Sequence, residues 1–242
     1  MTLETTLVIA ALVILLIALA WTRVRLPRRP GFRGHRRCKG GGSVRSHQPL
    51  AAIRLLRRMT VRTLRKYRPT GTLADIGCGP GRLTTLIARE FPQLRVLGLD
   101  TALEMVRAAD AKAALLGLSG RVEFREGDIA SLLLPDGTLD FAVSSLSLHH
   151  WSDPARGLAE IQRVLKPGGQ FLLFDLRRDA RRFFYLLMRF AQTAVAPPAL
   201  RSINEPLGSL QASYTPAEVE TPLTRSPFRH WKINTCVAWL FI

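Results

Sequence analysis

The sequence predicts an α/β three-layer sandwich preceded by an N-terminal membrane helix, and three observations predict it. From about residue 72 onward, short apolar runs alternate with amphipathic helical stretches, the pattern of a sheet with helices packed on its faces. The run Leu73-Ala74-Asp75-Ile76 passes directly into Gly77-Cys78-Gly79-Pro80-Gly81, and a helical pattern follows with Leu83, Leu86, Ile87 and Phe91 on one face. At the other end, Leu7 to Trp21 is apolar without interruption. A length of 242 residues accommodates one domain of ordinary size and an appendage.

The chain therefore divides into residues 1–22, a transmembrane anchor; residues 23–49, a flexible basic linker; and residues 50–242, the folded domain. No charge lies between Thr5 and Thr22, and a span needs ~20 mostly apolar residues, with a range of ~17–25. Arg23, Arg25, Arg28, Arg29, Arg33, Arg36, Arg37 and Lys39 follow at once. The positive-inside rule then predicts a single-pass membrane protein with its folded domain in the cytoplasm. A cleaved signal is the rival, with Ala18-Leu19-Ala20 as its site, but the positive charge follows the apolar run instead of preceding it. A core helix of a soluble fold is the other alternative; a terminal helix apolar on all faces argues against it.

The formal charge of +17 is concentrated at this end. Residues 1–68 carry a net +15 and the remainder only +2. A collar of arginines beside a span suits anionic headgroups, and nucleic acid is the competing partner. Cys38, Cys78 and Cys236 are widely spaced, with no Cys/His cluster, so neither a disulfide framework nor a metal site is expected.

Leu50 to Tyr67 reads as a basic amphipathic helix, lying on a membrane or capping the first strand, and Pro69-Thr70-Gly71 ends it. The turn that follows Ile76 joins a strand to a helix N-terminus, where unpaired N–H groups face a ligand. The dinucleotide fingerprint fails because Arg82 stands where its last glycine belongs, and no Lys-Ser/Thr completes a phosphate loop. Downstream, Arg95 to Asp100 is a second buried strand and Ala102 to Leu116 a helix ended by Gly117. Arg121 to Glu126 alternates as a strand nearer the edge, with Gly127-Asp128-Ile129 after it. Leu139 to Ser145 is a fourth strand, with Leu146-Ser147-Leu148-His149-His150-Trp151 at its mouth. Ser152-Asp153-Pro154 opens a helix that Lys166-Pro167-Gly168-Gly169 closes, and Gln170 to Asp175 is a fifth strand. Arg177 to Leu200 predicts a helix with a basic start and a heavy apolar load. Thr215, Pro216 and Glu218 mark a further helix start. Phe228–Asn234 and Cys236–Ile242 read as the last strands.

The sequence D-x-G-x-G-x-G at Asp75–Gly81 resembles motif I of the class I S-adenosylmethionine-dependent methyltransferases. The run Leu158 to Gly169 resembles the type-11, small-molecule branch, and with the intervening elements the resemblance covers about residues 72–176. It implies a Rossmann-like sheet of seven strands, parallel except for the last. It also implies S-adenosylmethionine as cofactor, held by Asp75, Gly77, Cys78, Gly79, Gly81, Asp100, Thr101, Asp128, Ile129 and Ser145. In that scheme Asp100 accepts both ribose hydroxyls and Asp128 meets the adenine amino group, though Asp100 would equally cap the next helix and Asp128 serve as a turn residue. The usual D-x-S-x-x-M after strand two keeps Met105 and loses the serine.

His149 and His150 are the histidines near the expected mouth, and either would suit a general base for a hydroxyl or thiol acceptor. Local packing is the other reading. The expected activity is methyl transfer to a small, lipid-like acceptor. Two alternatives stand: a tethered S-adenosylmethionine-binding module, and a nucleic-acid methyltransferase using the basic arm. Against the second, the fourth strand ends Ser144-Ser145-Leu146-Ser147 without an Asn/Asp-Pro-Pro-aromatic sequence, and the domain is almost neutral.

Overall fold

A computed structural model describes residues 3–29, 51–196, 198–202 and 204–242. Seven strands form one sheet: β1 (Thr72–Ile76), β2 (Arg95–Asp100), β3 (Val122–Glu126), β4 (Leu139–Ser145), β5 (Leu165–Leu176), β6 (Asn234–Thr235) and β7 (Trp239–Phe241). Their order is β3-β2-β1-β4-β5-β7-β6. The strands from β3 to β5 are parallel neighbours, while β7 runs antiparallel to both β5 and β6. The strand order switches between β1 and β4, the sequence running outward from β1 to β3 on one side and from β4 to β5 on the other, so ligands are expected in the crevice at the carboxyl ends of those strands.

Nine α-helices are described: α1 (Leu3–Trp21), α2 (Ala51–Lys66), α3 (Arg82–Glu90), α4 (Leu103–Leu115), α5 (Pro154–Val164), α6 (Arg182–Phe190), α7 (Pro198–Ser202), α8 (Leu207–Ala212) and α9 (Pro216–Arg225). On one face, Val61 and Leu64 of α2, Leu83 and Ile87 of α3, and Val106 and Ala109 of α4 bury Val96, Phe124, Val143 and Phe174. On the other, Leu158 and Ile161 of α5 and Val219 and Leu223 of α9 cover Ile76, Leu99, Leu173 and Leu240. These are the three layers expected. Burial of α2's apolar face favours its role as a cap on the sheet. The two best sequence-level starts form as expected. Asp153 accepts from Arg156 N ahead of α5, and Thr215 and Glu218 make a capping box ahead of α9.

Several boundaries differ from expectation. β5 begins at Leu165, not Gln170, because Leu139 pairs with Leu165 while Phe141 pairs with Gln170. The residues between them form a bulge, with Gly168 at φ 79°. The long helix expected over Arg177–Leu200 is broken into α6, a π-helical turn at Ala191–Val195, and α7. The strand expected over Phe228–Asn234 is instead Asn234–Thr235, and the one expected over Cys236–Ile242 is confined to Trp239–Phe241.

The N-terminal helix forms where the sequence places it, but among the described residues no helix is long and apolar enough to cross a membrane. The expected single-pass span is thus not supported. What α1 does show is exposure on every side: Leu12, Val13, Ile14, Leu15, Leu16 and Ile17 are each about half exposed or more. Its end is seated on the domain, with the Trp21 ring stacked on Phe183 at 5.1 Å.

The first residues of the expected linker are also seated. Arg182 N donates to Thr22 O at 2.7 Å, Val24 N to Ala180 O at 3.0 Å, and Arg29 N to Gln211 O at 3.2 Å. The buried Arg178 holds this strap from beneath, donating Nε to Leu26 O and Nη1 to Ser213 O, with Glu218 on Nη2. The rest of the linker, residues 30–49, lies outside the described residues.

Candidate active site

The carboxyl ends of β1, β2, β4 and β5 carry the candidate site. After β1 the turn runs back under β2: Gly77 N and Cys78 N both donate to Leu99 O, at 2.8 and 2.9 Å. This geometry needs positive φ at Gly77 (75°), Gly79 (52°) and Gly81 (65°), which costs glycine least. The two ends of the turn have opposite surroundings. A Cβ on Gly77 would meet Ser147 Oγ at 2.3 Å, whereas one on Gly79 would meet nothing within 4 Å. Gly79 thus borders open space, and Gly77 ties the turn to the segment after β4.

Two acids organise the turn. Asp75 is buried and accepts from Thr84 Oγ1 at 2.6 Å. Burial pushes its carboxyl up to about 6; the nearby Asp100 adds to this, while the Thr84 hydrogen bond and Arg57 oppose it. Asp100 Oδ2 accepts from Gly79 N at 2.8 Å, and Oδ1 accepts from Ala102 N at 2.9 Å. Each oxygen of a carboxylate has about two acceptor positions, so both keep capacity for a ligand hydroxyl. Asp100 therefore locks the turn and starts α4 at once, and these roles leave room for a ribose.

Cations crowd the same turn. Lys112 Nζ donates to Pro80 O at 3.4 Å, and its ammonium is lowered to about 8 by burial and by Arg82 and Arg57. The Arg57 guanidinium of α2 is lowered to about 10 by burial and by Arg82, with Asp75 opposing. Cationic charge under mutual repulsion favours an anionic group, such as the carboxylate of an amino-acid tail. Sequence reading missed this group because Arg57 is one of many arginines on α2.

The remaining expected contacts are less committed. Asp128 is exposed and accepts from Ala130 N at 2.9 Å, which makes it the hinge of a turn with one oxygen to spare. Ile129 packs beside Trp151 and Gly157. Thr101 is exposed, and Ser145 is half-buried at the end of β4. The Cys78 thiol is buried and pushed up by that burial, so it packs rather than reacts. Among the described residues no group of three or more His, Cys, Asp or Glu is placed to hold a metal ion.

At the mouth of β4, Leu146 takes φ 56°, a costly conformation for a side-chain-bearing residue. The next residues form a short 3-10 turn, Leu148–His150. His149 is turned inward, and both its side chain and that of Asp175 are only 2% exposed. Asp175 Oδ1 lies 2.8 Å from His149 Nδ1, and Oδ2 accepts from His149 N at 3.0 Å. Leu176 N also donates to Asp175 Oδ1, at 2.7 Å. A carboxylate only accepts, so Nδ1 carries the proton and Nε2 presents a lone pair. Nε2 is buried without a partner among the described residues. Burial works against the imidazolium, but the charge and hydrogen bond of Asp175 prevail, and the His149 pKa is raised. His150 is exposed, its ring 4.1 Å from that of His149.

Around this dyad stand three groups that sequence reading did not assign. Glu205 is half-buried, its carboxyl raised by burial, and it adds to the field that favours the His149 cation. The Tyr214 ring carries the Arg28 guanidinium at 3.8 Å, and Arg28 Nε donates to Ala212 O at 2.8 Å. A broad depression of about 970 Å³ lies elsewhere, bounded by Thr72, Arg95, Val122 and Leu139 where the strands begin. That is the end of the sheet away from the glycine turn.

The paired surroundings of Gly77 and Gly79 give a direct test. Gly77→Ala is expected to destabilise the fold by about 2 kcal/mol or more, combining ~1–2 kcal/mol of backbone strain with a clash against Ser147. That hydroxyl accepts from Trp151 Nε1 and is not free to yield. Gly79→Ala is expected to cost about 1 kcal/mol yet to remove cofactor binding, because its Cβ enters the open space. Denaturant midpoints and calorimetric titration separate the two outcomes.

Residues 74–173 match the methyltransferase domain family. An uncharacterized 37.1 kDa protein in a transposon of Streptomyces fradiae is 43% identical over 49% of this chain and 34% of its own length. The demethylmenaquinone methyltransferase of Symbiobacterium thermophilum is 30% identical over 48% of this chain and 47% of its own. The chain thus spans about half or less of the length of these relatives. Among solved structures, a S-adenosylmethionine-dependent methyltransferase from Aquifex aeolicus superposes with a TM-score of 0.59 at 22% identity, covering 81% of this chain and 97% of that one. At that identity the likeness speaks for the fold.

Proposed function

The chain belongs to the type-11 family of class I S-adenosylmethionine-dependent methyltransferases, and from that premise we propose that it methylates a small, lipid-soluble acceptor bound beside His149. The observation that carries the proposal is the buried His149–Asp175 pair with an unpartnered Nε2. It stands two residues from Ser147, which touches the donor turn. A fully buried base lone pair without a partner is costly, and an acceptor proton would satisfy it.

S-adenosylmethionine, when bound, supplies an electrophilic methyl group on a sulfonium. The protein's part is to bind and align. In this reading Asp100 holds the ribose, the cations around Pro80 hold the carboxylate of the amino-acid tail, and the open side of Gly79 allows close approach. His149 Nε2 takes the proton that the acceptor's hydroxyl, thiol or ring carbon releases. Asp175 fixes the tautomer, orients the ring and stabilises the imidazolium. A positioned base contributes about 10²–10⁴-fold, and alignment supplies much of the rest.

The lipid-soluble acceptor is supported by the exposed apolar surface of α1 and α6, which pack on each other, α6 in turn meeting α8 and α8 the turn that carries His149. α1 exposes aliphatic residues on all sides, and Leu186, Leu187 and Phe190 of α6 continue that surface. The similarity to a demethylmenaquinone methyltransferase points the same way, toward an apolar, quinone-like ring. In this reading α1 partitions into a bilayer and the active site works at its cytoplasmic surface.

The test is labelled methyl transfer from S-adenosylmethionine to membrane extract by the full chain. Label is expected in the organic fraction, and Asp100→Ala is expected to abolish it. Label confined to the aqueous small-molecule or protein fraction would reject the lipid acceptor. Cofactor binding without transfer to any fraction would leave a binding module in place of an enzyme.

A further inference from the structure

We propose that the cleft between the strap and the start of α6 binds the phosphate of an anionic phospholipid, in the same bilayer that takes up α1. The proposal rests on the membrane reading above and adds a specific headgroup site to it. The cleft has a volume of about 500 Å³ and is lined by Arg23, Val24, Arg25, Arg182, Tyr185 and Leu186. Three arginines thus line one small space. Guanidinium is the side chain best matched to phosphate, through paired and charge-assisted hydrogen bonds.

The charge there is only partly neutralised by the protein. Asp179 is already engaged by Arg177, which donates Nε to Oδ1 at 2.8 Å and Nη2 to Oδ2 at 2.6 Å. Arg23 Nη1 donates to Asp179 O at 3.2 Å and lies 3.8 Å from its carboxylate. Arg25 and Arg182 are exposed and pair with no acid among the described residues. Arg177 and Arg181 add further positive charge, and together with burial they depress the Arg23 guanidinium.

The surroundings select a lipid phosphate over a soluble one. The cleft opens at the foot of α1, where Trp21 stacks on Phe183. Its wall residue Leu186 continues into the exposed Leu187 and Phe190. Aliphatic surface, then Trp and Tyr, then arginine is the order of groups across a bilayer interface. A free phosphate would use the arginines and leave the adjoining apolar surface in water. The same strap carries Arg28 to the Tyr214 ring near His149. A headgroup held in the cleft would therefore fix the acceptor mouth at a set height above the bilayer.

Vesicle flotation of the full chain tests this. Vesicles of phosphatidylcholine alone are compared with vesicles containing phosphatidylglycerol, using wild type, Arg25→Gln/Arg182→Gln, and the charge-matched Arg89→Gln/Arg229→Gln. Wild type is expected to prefer the anionic vesicles, and the cleft variant to lose roughly twentyfold in partitioning to them. The charge-matched variant is expected to lose less than about threefold. Equal losses in both variants would reduce the effect to net charge and overturn the site. Wild type binding both vesicle types equally would overturn the cleft while leaving the membrane reading intact. Absence of binding to either vesicle would overturn both. Displacement of wild type from anionic vesicles by inorganic phosphate, to the level of the cleft variant, would assign the cleft to a soluble anion.

Discussion

Asp100→Ala is expected to weaken S-adenosylmethionine binding by at least about 100-fold. In the proposed reading the carboxylate takes two ribose hydroxyls, and a hydrogen bond to a charged group contributes about 1.5–3 kcal/mol. Two such bonds amount to about 3 kcal/mol or more, or roughly 100-fold in affinity. The loss should exceed this, because Asp100 also builds the site it serves. Its oxygens hold Gly79 N and Ala102 N, and alanine frees both donors. Gly79 then loses the restraint that keeps its face open toward the ligand, and α4 loses its fixed start. Asp100→Asn separates the two contributions. It retains one acceptor oxygen, so the turn should survive in part, but its amide opposes the Gly79 donor. The expected ranking of affinity is wild type, then Asn, then Ala, measured by calorimetric titration with S-adenosylhomocysteine. Equal affinity in Asp100→Ala and wild type would remove Asp100 from the site.

The architecture was legible because two periods dominate the sequence. Strands buried on both faces, such as Leu73–Ile76 and Arg95–Asp100, read as apolar runs, and helices such as α5 carry one apolar stripe. Caps at Asp153 and Thr215 gave sharp boundaries. The misplacements share a cause: tertiary contacts override local pattern. Lys166-Pro167-Gly168-Gly169 looks like a helix stop, yet pairing with β4 draws Leu165 into the strand around a bulge. The apolar run after Arg182 looks like one helix and is broken into several short ones. The glycines and acids of the candidate donor side stand out in the sequence because they sit at fixed offsets from strand ends. The acceptor side does not. Asp175 carried the available signal, an acid at the tip of an apolar strand like Asp75 and Asp100, and it went unassigned. Arg28 comes from the strap while Glu205 and Tyr214 flank α8, and they meet near His149 only in the folded chain. Arg25 and Arg182 likewise look like members of a charge run until the strap and α6 bring them to one cleft.

His149→Ala is expected to lower methyl transfer by about 10²–10⁴-fold while leaving S-adenosylmethionine affinity within about threefold, since His149 bonds to Asp175 and not to the donor turn. In the proposed mechanism Asp175 acts through His149 as a positioning residue, and the pH profile distinguishes that from a structural role. Transfer in that mechanism requires the neutral imidazole. Asp175 raises the His149 pKa, so activity in wild type should climb with pH through a limb above the ordinary value of about 6.5. Asp175→Asn removes the negative charge but keeps the shape. Burial then dominates, the imidazolium is disfavoured, and the limb should move to lower pH as the maximal rate falls. Stability gives an independent check with the opposite sense. A group whose pKa is raised on folding adds stability below its unfolded value of about 6.5, and that gain disappears as pH rises through the folded value. The denaturant midpoint of wild type should therefore fall over that window, and that of His149→Ala should not. A His149→Ala variant that keeps full transfer activity would leave the dyad as packing. An Asp175→Asn limb at the wild-type position would show that the carboxylate does not set the proton affinity of the base.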